Sequence, residues 1–216
     1  KIMKLIILDF DGTIGDSEPL ITDTMFKTID ELGLPQRTRE QCAAMIGLPL
    51  SQTFTDLIPM SREMGHKCAE VYTRIFSENN VAGAVPPFPH VTDTIRELHR
   101  RGCTLTIASS RRRPSLVDYV HEYGLDQYIS YIVSAGDVKH AKPDPEPVLM
   151  TLQALSMKAD DALVVGDTTF DILMGQRAGA RTCGVTYGNG TREQITECHA
   201  DYVIDDFSEL LDIVSE

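Results

Sequence analysis

Two carboxylates one residue apart, Asp9 and Asp11, follow the apolar run Leu5–Leu8 and lead straight into Gly12 and Thr13. A carboxylate at the end of a strand can attack phosphorus and become an aspartyl-phosphate, which divides one difficult displacement into two easier ones. A second carboxyl two residues on points the same way along the strand, so it can protonate the leaving oxygen and then take a proton from water. These residue types at this spacing assign Asp9 as nucleophile and Asp11 as general acid and base. Gly12 and Thr13 then form a tight turn that leaves room for a phosphate against the backbone.

Matching chemistry recurs further along the chain. Ser109 and Ser110 close the stretch "CTLTIASS", Lys142 stands in "HAKPDPEP", and Asp167 and Asp171 stand in "GDTTFD". The hydroxyl of Ser109, with Ser110 beside it and the N–H groups that open the next helix, can donate hydrogen bonds to phosphate oxygens. Lys142 can hold a carboxylate in place and touch the same phosphate. Four carboxylates gathered in one place, those of Asp9, Asp11, Asp167 and Asp171, raise one another's pKa unless a cation sits among them. With oxygen donors alone and no His or Cys nearby, the hard cation Mg²⁺ is favoured over zinc or copper. Such a site suits phosphoryl transfer, where positioning and charge neutralisation do most of the catalysis.

These residues converge only if the right elements carry them. The runs "KLIILDF", "CTLTIAS", "YIVSA" (131–135), "ALVVGD", "RTCGVT" and "DYVIDD" are short, apolar or β-branched and barely alternate, as strands buried on both faces of a parallel sheet do. From residue 90 onward, helical segments such as "HVTDTIRELHRRG" and "PEPVLMTLQALS" separate them. The fold class is therefore α/β, a Rossmann-like doubly wound parallel sheet, and its ligand site lies beyond the carboxyl ends of the strands. Every candidate residue falls at such an end.

Residues 16–81 break the rhythm: some sixty residues carry helical patterns and no strand. "DSEPLITDTMFKTIDELG" opens on capping residues Asp16 and Ser17, "TREQ" is a capping box, and "SREMGHKCAEVYTRIFSENN" reads as a long helix. The expected organisation is a core of residues 1–15 and 82–216 with a helical domain of residues 16–81 inserted into it.

"DFDGT", the serine ending "TIAS", "AKPDPEP" and "GDTTFD", in this order, resemble the four motifs of the haloacid dehalogenase superfamily across nearly the whole chain. The resemblance implies an α-helical cap that closes over the site and chooses the substrate. It also implies Mg²⁺ held by Asp9, Asp167 and the backbone carbonyl of Asp11, with Asp171 supporting that shell or Lys142. "GLPLSQT", "RELHRRGCTLTIASS" and "KPDPEPVL" are most similar to phosphoglycolate phosphatases and their relatives. Halide-removing relatives lack an acid at the position of Asp11, which argues against dehalogenation. A β-phosphoglucomutase-like role is disfavoured by Leu50, which stands where such mutases bear an arginine.

Composition sets bounds on the rest. Twenty basic against 32 acidic residues give a net charge of −12, which argues against nucleic acid or an anionic membrane as partner. Five widely spaced cysteines suggest reduced thiols, and the expected setting is the cytoplasm, with the oligomeric state, monomer or dimer, left open. The expected activity is Mg²⁺-dependent hydrolysis of a small-molecule phosphate ester. The rivals are a phosphomutase, a receiver-type signalling module and a non-catalytic interaction protein on the same fold. Three fragments have plainer readings. "GDTTFD" alone reads as a helix start capped by Asp167; "SSRRRPS" reads as a solvated basic loop, leaving Arg111, Arg112 and Arg113 outside the catalytic set; and "TYGNG" reads as a turn at the border of the site.

Overall fold

The computed structural model describes residues 3–214. Its centre is strand β1 (Leu5–Leu8), whose four residues are all buried. Successive side chains on a strand point to opposite faces, so a strand apolar at every position must be covered on both sides. Ile6 and Leu8 join one apolar cluster and Leu5 and Ile7 the other.

The insert follows β1 directly as helices α1 (Glu18–Glu31), α2 (Arg39–Ala43), α3 (Leu50–Leu57) and α4 (Arg62–Asn79). Thereafter helix and strand alternate: α5 (Val91–Arg100), β2 (Thr104–Ala108), α6 (Arg113–Glu122), β3 (Ile129–Val133), α7 (Glu146–Leu155), β4 (Ala162–Gly166), α8 (Thr169–Arg177), β5 (Arg181–Val185), α9 (Arg192–Glu197) and β6 (Tyr202–Ile204). The six strands lie in the order β3-β2-β1-β4-β5-β6, and every neighbouring pair is parallel. The chain winds one way from β1 to β3 and the other way from β4 to β6. The crevice at the switch point therefore opens at the carboxyl ends of β1, β2 and β4. Leu8 pairs with both Ile107 and Val165, so these three strands end level with one another.

Strand β3 ends two residues before the expected 131–135. Asp137 Oδ2 accepts from both the N–H and the hydroxyl of Ser134, at 2.7 and 2.6 Å, and this turn takes the chain out of the sheet after Val133. The other strands fall within the runs read from sequence.

On one face of the sheet, Val91, Ile95 and Leu98 of α5 pack with Leu116 and Tyr119 of α6; on the other, Val148 and Leu152 of α7 pack with Met174 of α8. The insert closes on a cluster of its own, built from Met25, Ile29, Phe54, Leu57, Cys68 and Tyr72. Its helices begin where caps demand. Thr38 and Gln41 complete a capping box, and the Ser61 hydroxyl accepts from the Met64 N–H at 3.1 Å. Gly65 lets α4 approach α3 closely, because a Cβ there would lie 2.6 Å from Thr55 Cγ2. Away from the points where the chain enters and leaves it, the insert meets the rest of the chain through hydrogen bonds that include Ser110 Oγ donating to the Gly47 carbonyl at 2.6 Å and Tyr119 Oη donating to Asn80 Oδ1 at 2.6 Å. No described helix is long and apolar enough to cross a membrane.

Because Phe54 is wholly buried at the centre of the insert's cluster, Phe54→Ala should cost about 3–5 kcal/mol of stability in urea unfolding. Val81→Ala, at an exposed position, should change it by less than about 0.5 kcal/mol.

Candidate active site

Asp9 leaves the end of β1 with its N–H bonded to the Val165 carbonyl of β4 at 2.9 Å, which aims its side chain into the crevice mouth. Opposite it, Lys142 reaches in from the loop before α7. Its buried Nζ donates to Asp9 Oδ1 and to Asp171 Oδ1, each at 2.6 Å. Asp171 is itself fixed. As the N3 residue of α8 it accepts on Oδ2 from the N–H and hydroxyl of Thr168, at 3.2 and 2.9 Å. The cap of α8 is thus Thr168, not Asp167 as the isolated motif suggests. Asp167 is directed elsewhere: its Oδ2 accepts from the N–H and the side-chain amide of Asn189, at 2.7 and 2.9 Å.

The turn after β1 needs glycine. Gly12 has φ +83°, and a Cβ there would fall 2.0 Å from Asp167 Oδ2. Neighbouring Thr13 is wholly buried, its hydroxyl without a partner among the described residues, while its carbonyl accepts from Tyr187 Oη at 2.8 Å. The "TYGNG" turn therefore holds both Asp167 and the Gly12–Thr13 loop in place. Asn189 was invisible as a site residue because only the folded loop brings it to Asp167, 22 positions away.

Three buried acids meet one buried ammonium. Carboxylate oxygens of Asp9, Asp167 and Asp171 all lie within 4.8 Å of one another. Burial, and then the charge of Asp171, raises the pKa of Asp9 well above the carboxylate range, with Lys142 pulling against them. The same two causes push Asp167 up to about 7, against the Asn189 donors. Burial alone disfavours the Lys142 ammonium, yet Asp171 and Asp9 outweigh it and hold its pKa above the ordinary lysine value. One lysine does not balance three carboxylates, so the cluster has a standing demand for a further cation. Asp167 Oδ1 meets that demand in geometry as well: it is buried with no hydrogen-bond partner among the described residues. An all-oxygen donor set with an orphaned carboxylate oxygen fits a hard divalent ion such as Mg²⁺. Lewis-acid polarisation of a phosphoryl oxygen is the chemistry such an ion supplies.

Asp11 stands apart from this cluster. Its Oδ1 accepts from Ser17 Oγ and from Arg111 Nη2, each at 2.5 Å, and its Oδ2 accepts from Arg111 Nε at 3.2 Å. Two expectations are corrected here. Ser17 stands at the N-cap position of α1, yet its hydroxyl does not cap the helix and serves Asp11 instead. Of the three arginines expected in solvent, Arg111 is buried, its side chain 9% exposed. Its guanidinium lies over the rings of Phe10, Tyr119 and Phe76 at 5.6, 5.2 and 5.1 Å. Arg112 is exposed, and Arg113 lies at the surface on Asp137.

Ser109 and Ser110 sit at the end of β2. The Ser109 hydroxyl accepts from the Arg111 N–H at 3.2 Å, and that of Ser110 is turned to Gly47 of the insert. Beside them is a cavity of about 170 Å³ lined by Ser109, Ser110, Ser134, Lys139, Lys142 and, from the insert, Pro49.

A parallel sheet with acids, a hydroxyl and a lysine at its switch point, under an inserted helical layer, defines a class of α/β hydrolytic enzyme. The chain belongs to the haloacid dehalogenase-like hydrolases, whose family pattern matches residues 6–185. It is 33% identical over 212 residues to the pyrophosphatase PpaX of Anoxybacillus flavithermus, covering 98% of this chain and 97% of that one. It is 28% identical over 221 residues to the phosphoglycolate phosphatase of Vibrio parahaemolyticus, covering 99% and 96% of the two chains. Its fold matches that of a haloacid dehalogenase-like hydrolase of Streptococcus pneumoniae with a TM-score of 0.86 at 22% identity, over 98% of each chain.

A carboxyl whose pKa is raised in the folded state contributes stability below its unfolded pKa, and that contribution is lost as pH rises through the folded value. With Asp167 at about 7, the metal-free protein should lose stability from about pH 4 to 7. Mg²⁺ should therefore raise the melting temperature more at pH 8 than at pH 5, and Asp167→Ala should abolish that rise in a thermal melt.

Proposed function

We propose that this chain is a Mg²⁺-dependent phosphatase of small phosphate compounds that works through an aspartyl-phosphate on Asp9. The observation that carries the reading is the state of Asp9. Its Oδ1 accepts from Lys142 Nζ at 2.6 Å, and among the described residues that is the one side-chain hydrogen bond its carboxyl makes, so Oδ2 is left unengaged. A carboxylate held at one oxygen and unengaged at the other is oriented for attack.

In the first half-reaction an Asp9 oxygen bonds to phosphorus and the bond from phosphorus to the leaving oxygen breaks. The Asp11 carboxyl gives its proton to that oxygen, so the leaving group departs neutralised. In the second, water attacks the same phosphorus as the bond between phosphorus and the Asp9 oxygen breaks; a water proton passes to Asp11, inorganic phosphate leaves, and the Asp9 carboxylate is regenerated. Lys142, with the hydroxyl of Ser109 and the backbone around Gly12 and Thr13, would hold the phosphoryl oxygens in place throughout. A Mg²⁺ ion would be held by Asp9, Asp167 and the Asp11 carbonyl, with Asp171 bracing Lys142.

The helices of residues 16–81 would act as a cap. The hydrogen bond from Ser110 to Gly47 and the Arg111–Phe76 contact are weak enough to break and re-form as substrate enters and product leaves. The relatives named pyrophosphatase and phosphoglycolate phosphatase favour a compact substrate.

On a panel of phosphate compounds with Mg²⁺, the protein should release inorganic phosphate without any acceptor sugar, and EDTA should stop it. Asp9→Asn should abolish turnover, and Asp11→Asn should lower kcat by about 10²- to 10⁴-fold. Wild-type protein that releases phosphate from nothing on the panel, or Asp9→Asn protein as active as wild type, would refute the assignment.

A further inference from the structure

Arg111 is a cation in an unusual place. It is the one arginine of its run that is buried, and it packs against rings from both layers, Phe10 and Tyr119 below and Phe76 of the insert above. Its Nε and Nη2 are on Asp11 and its Nη1 is on Ser115 at 3.0 Å. Burying a guanidinium is costly unless an anion faces it, and here that anion is the Asp11 carboxylate.

That arrangement conflicts with the work assigned to Asp11. To reach the leaving oxygen, Asp11 must give up some of its bonds to Arg111 and Ser17, and the buried guanidinium is then left without its full counter-charge. A leaving group that carries its own anion can supply it. Distance permits this: the leaving oxygen must come within about 3 Å of Asp11, and the Arg111 nitrogens lie 2.5 and 3.2 Å from the Asp11 oxygens. A carboxylate or phosphate one or two bonds beyond the leaving oxygen therefore falls within reach of the guanidinium fork, which suits either group.

Resting on the phosphatase reading above, we infer that Arg111 selects the substrate class: phosphate compounds whose leaving group bears a second anionic group close to the scissile bond, in preference to neutral alcohols and sugars. Arg111 binds that group as Asp11 lets go of it, and so acts as a specificity residue that touches substrate.

The test compares anionic with neutral leaving groups and reads how their rate ratio changes when Arg111 is replaced, because pyrophosphate is also the intrinsically more reactive member of its pair. Rates with Mg²⁺ would be measured for 2-phosphoglycolate against 2-hydroxyethyl phosphate, and for pyrophosphate against methyl phosphate, using wild type, Arg111→Lys and Arg111→Met. Wild type should favour the anionic member of at least one pair by about 10- to 100-fold in kcat/KM. Arg111→Met should bring that ratio close to one, and Arg111→Lys should retain part of it. A purely structural arginine predicts equal losses on both members, and that result, or a wild type with no preference, overturns the inference. If Arg111→Met does not fold, the wild-type ratio and Arg111→Lys still decide. Wild type that hydrolyses none of the four compounds but releases phosphate from a neutral sugar phosphate overturns this inference alone, whereas wild type that releases phosphate from no compound at all defeats the phosphatase reading itself.

Discussion

The whole site depends on one ammonium group placed between two carboxylates. Lys142 Nζ sits 2.6 Å from Asp9 and 2.6 Å from Asp171 in a buried setting. At that depth each attraction is far stronger than at the surface, and removing the cation would leave buried anions facing one another without compensation. The fold is organised to make this placement possible. Asp9 must come from the central strand, Asp171 from the first turn of the helix after β4, and Lys142 from the loop before α7. A parallel sheet whose winding order reverses between β1 and β4 brings those three ends together.

The same excess of negative charge, which Lys142 reduces but does not cancel, suits the site to a further cation. It also explains why the two acids at this site differ in their surroundings. Asp9 belongs to a cluster where charge is in surplus and is relieved by cations. Asp11, two residues on, lies next to an arginine framed by aromatic rings, separated from that cluster. Two carboxyl groups from one short strand end can thereby have different tasks, with environment deciding which is which.

Much of this was legible in the sequence, for definite reasons. Strands buried on both faces need apolar residues at every position, and few other elements do, so the sheet could be read from runs such as Leu5–Leu8. The placement of Asp9, Lys142, Asp167 and Asp171 at strand ends followed from those runs, and the structure does bring the four together. What stayed hidden depends on contacts distant in sequence. Three consecutive arginines look alike on paper; only the packing of Phe10, Phe76 and Tyr119, brought together from three separate elements, buries the first of them. Ser17 reads as a helix cap because Asp11 is invisible as its partner until the turn at Gly12 folds back. Asn189 is one more polar residue in a glycine-rich turn until that turn meets Asp167.

The central claim is that phosphorus is bonded to Asp9 during each turnover. Fluoroberyllate mimics a phosphoryl group on a carboxylate, and a crystal structure of the protein grown with it and Mg²⁺ would locate that bond directly. Beryllium bonded to an Asp9 oxygen, with its fluorides accepting hydrogen bonds from Lys142 and Ser109, is the predicted result. An adduct on Asp11 or any other side chain, or no adduct at all, would contradict it.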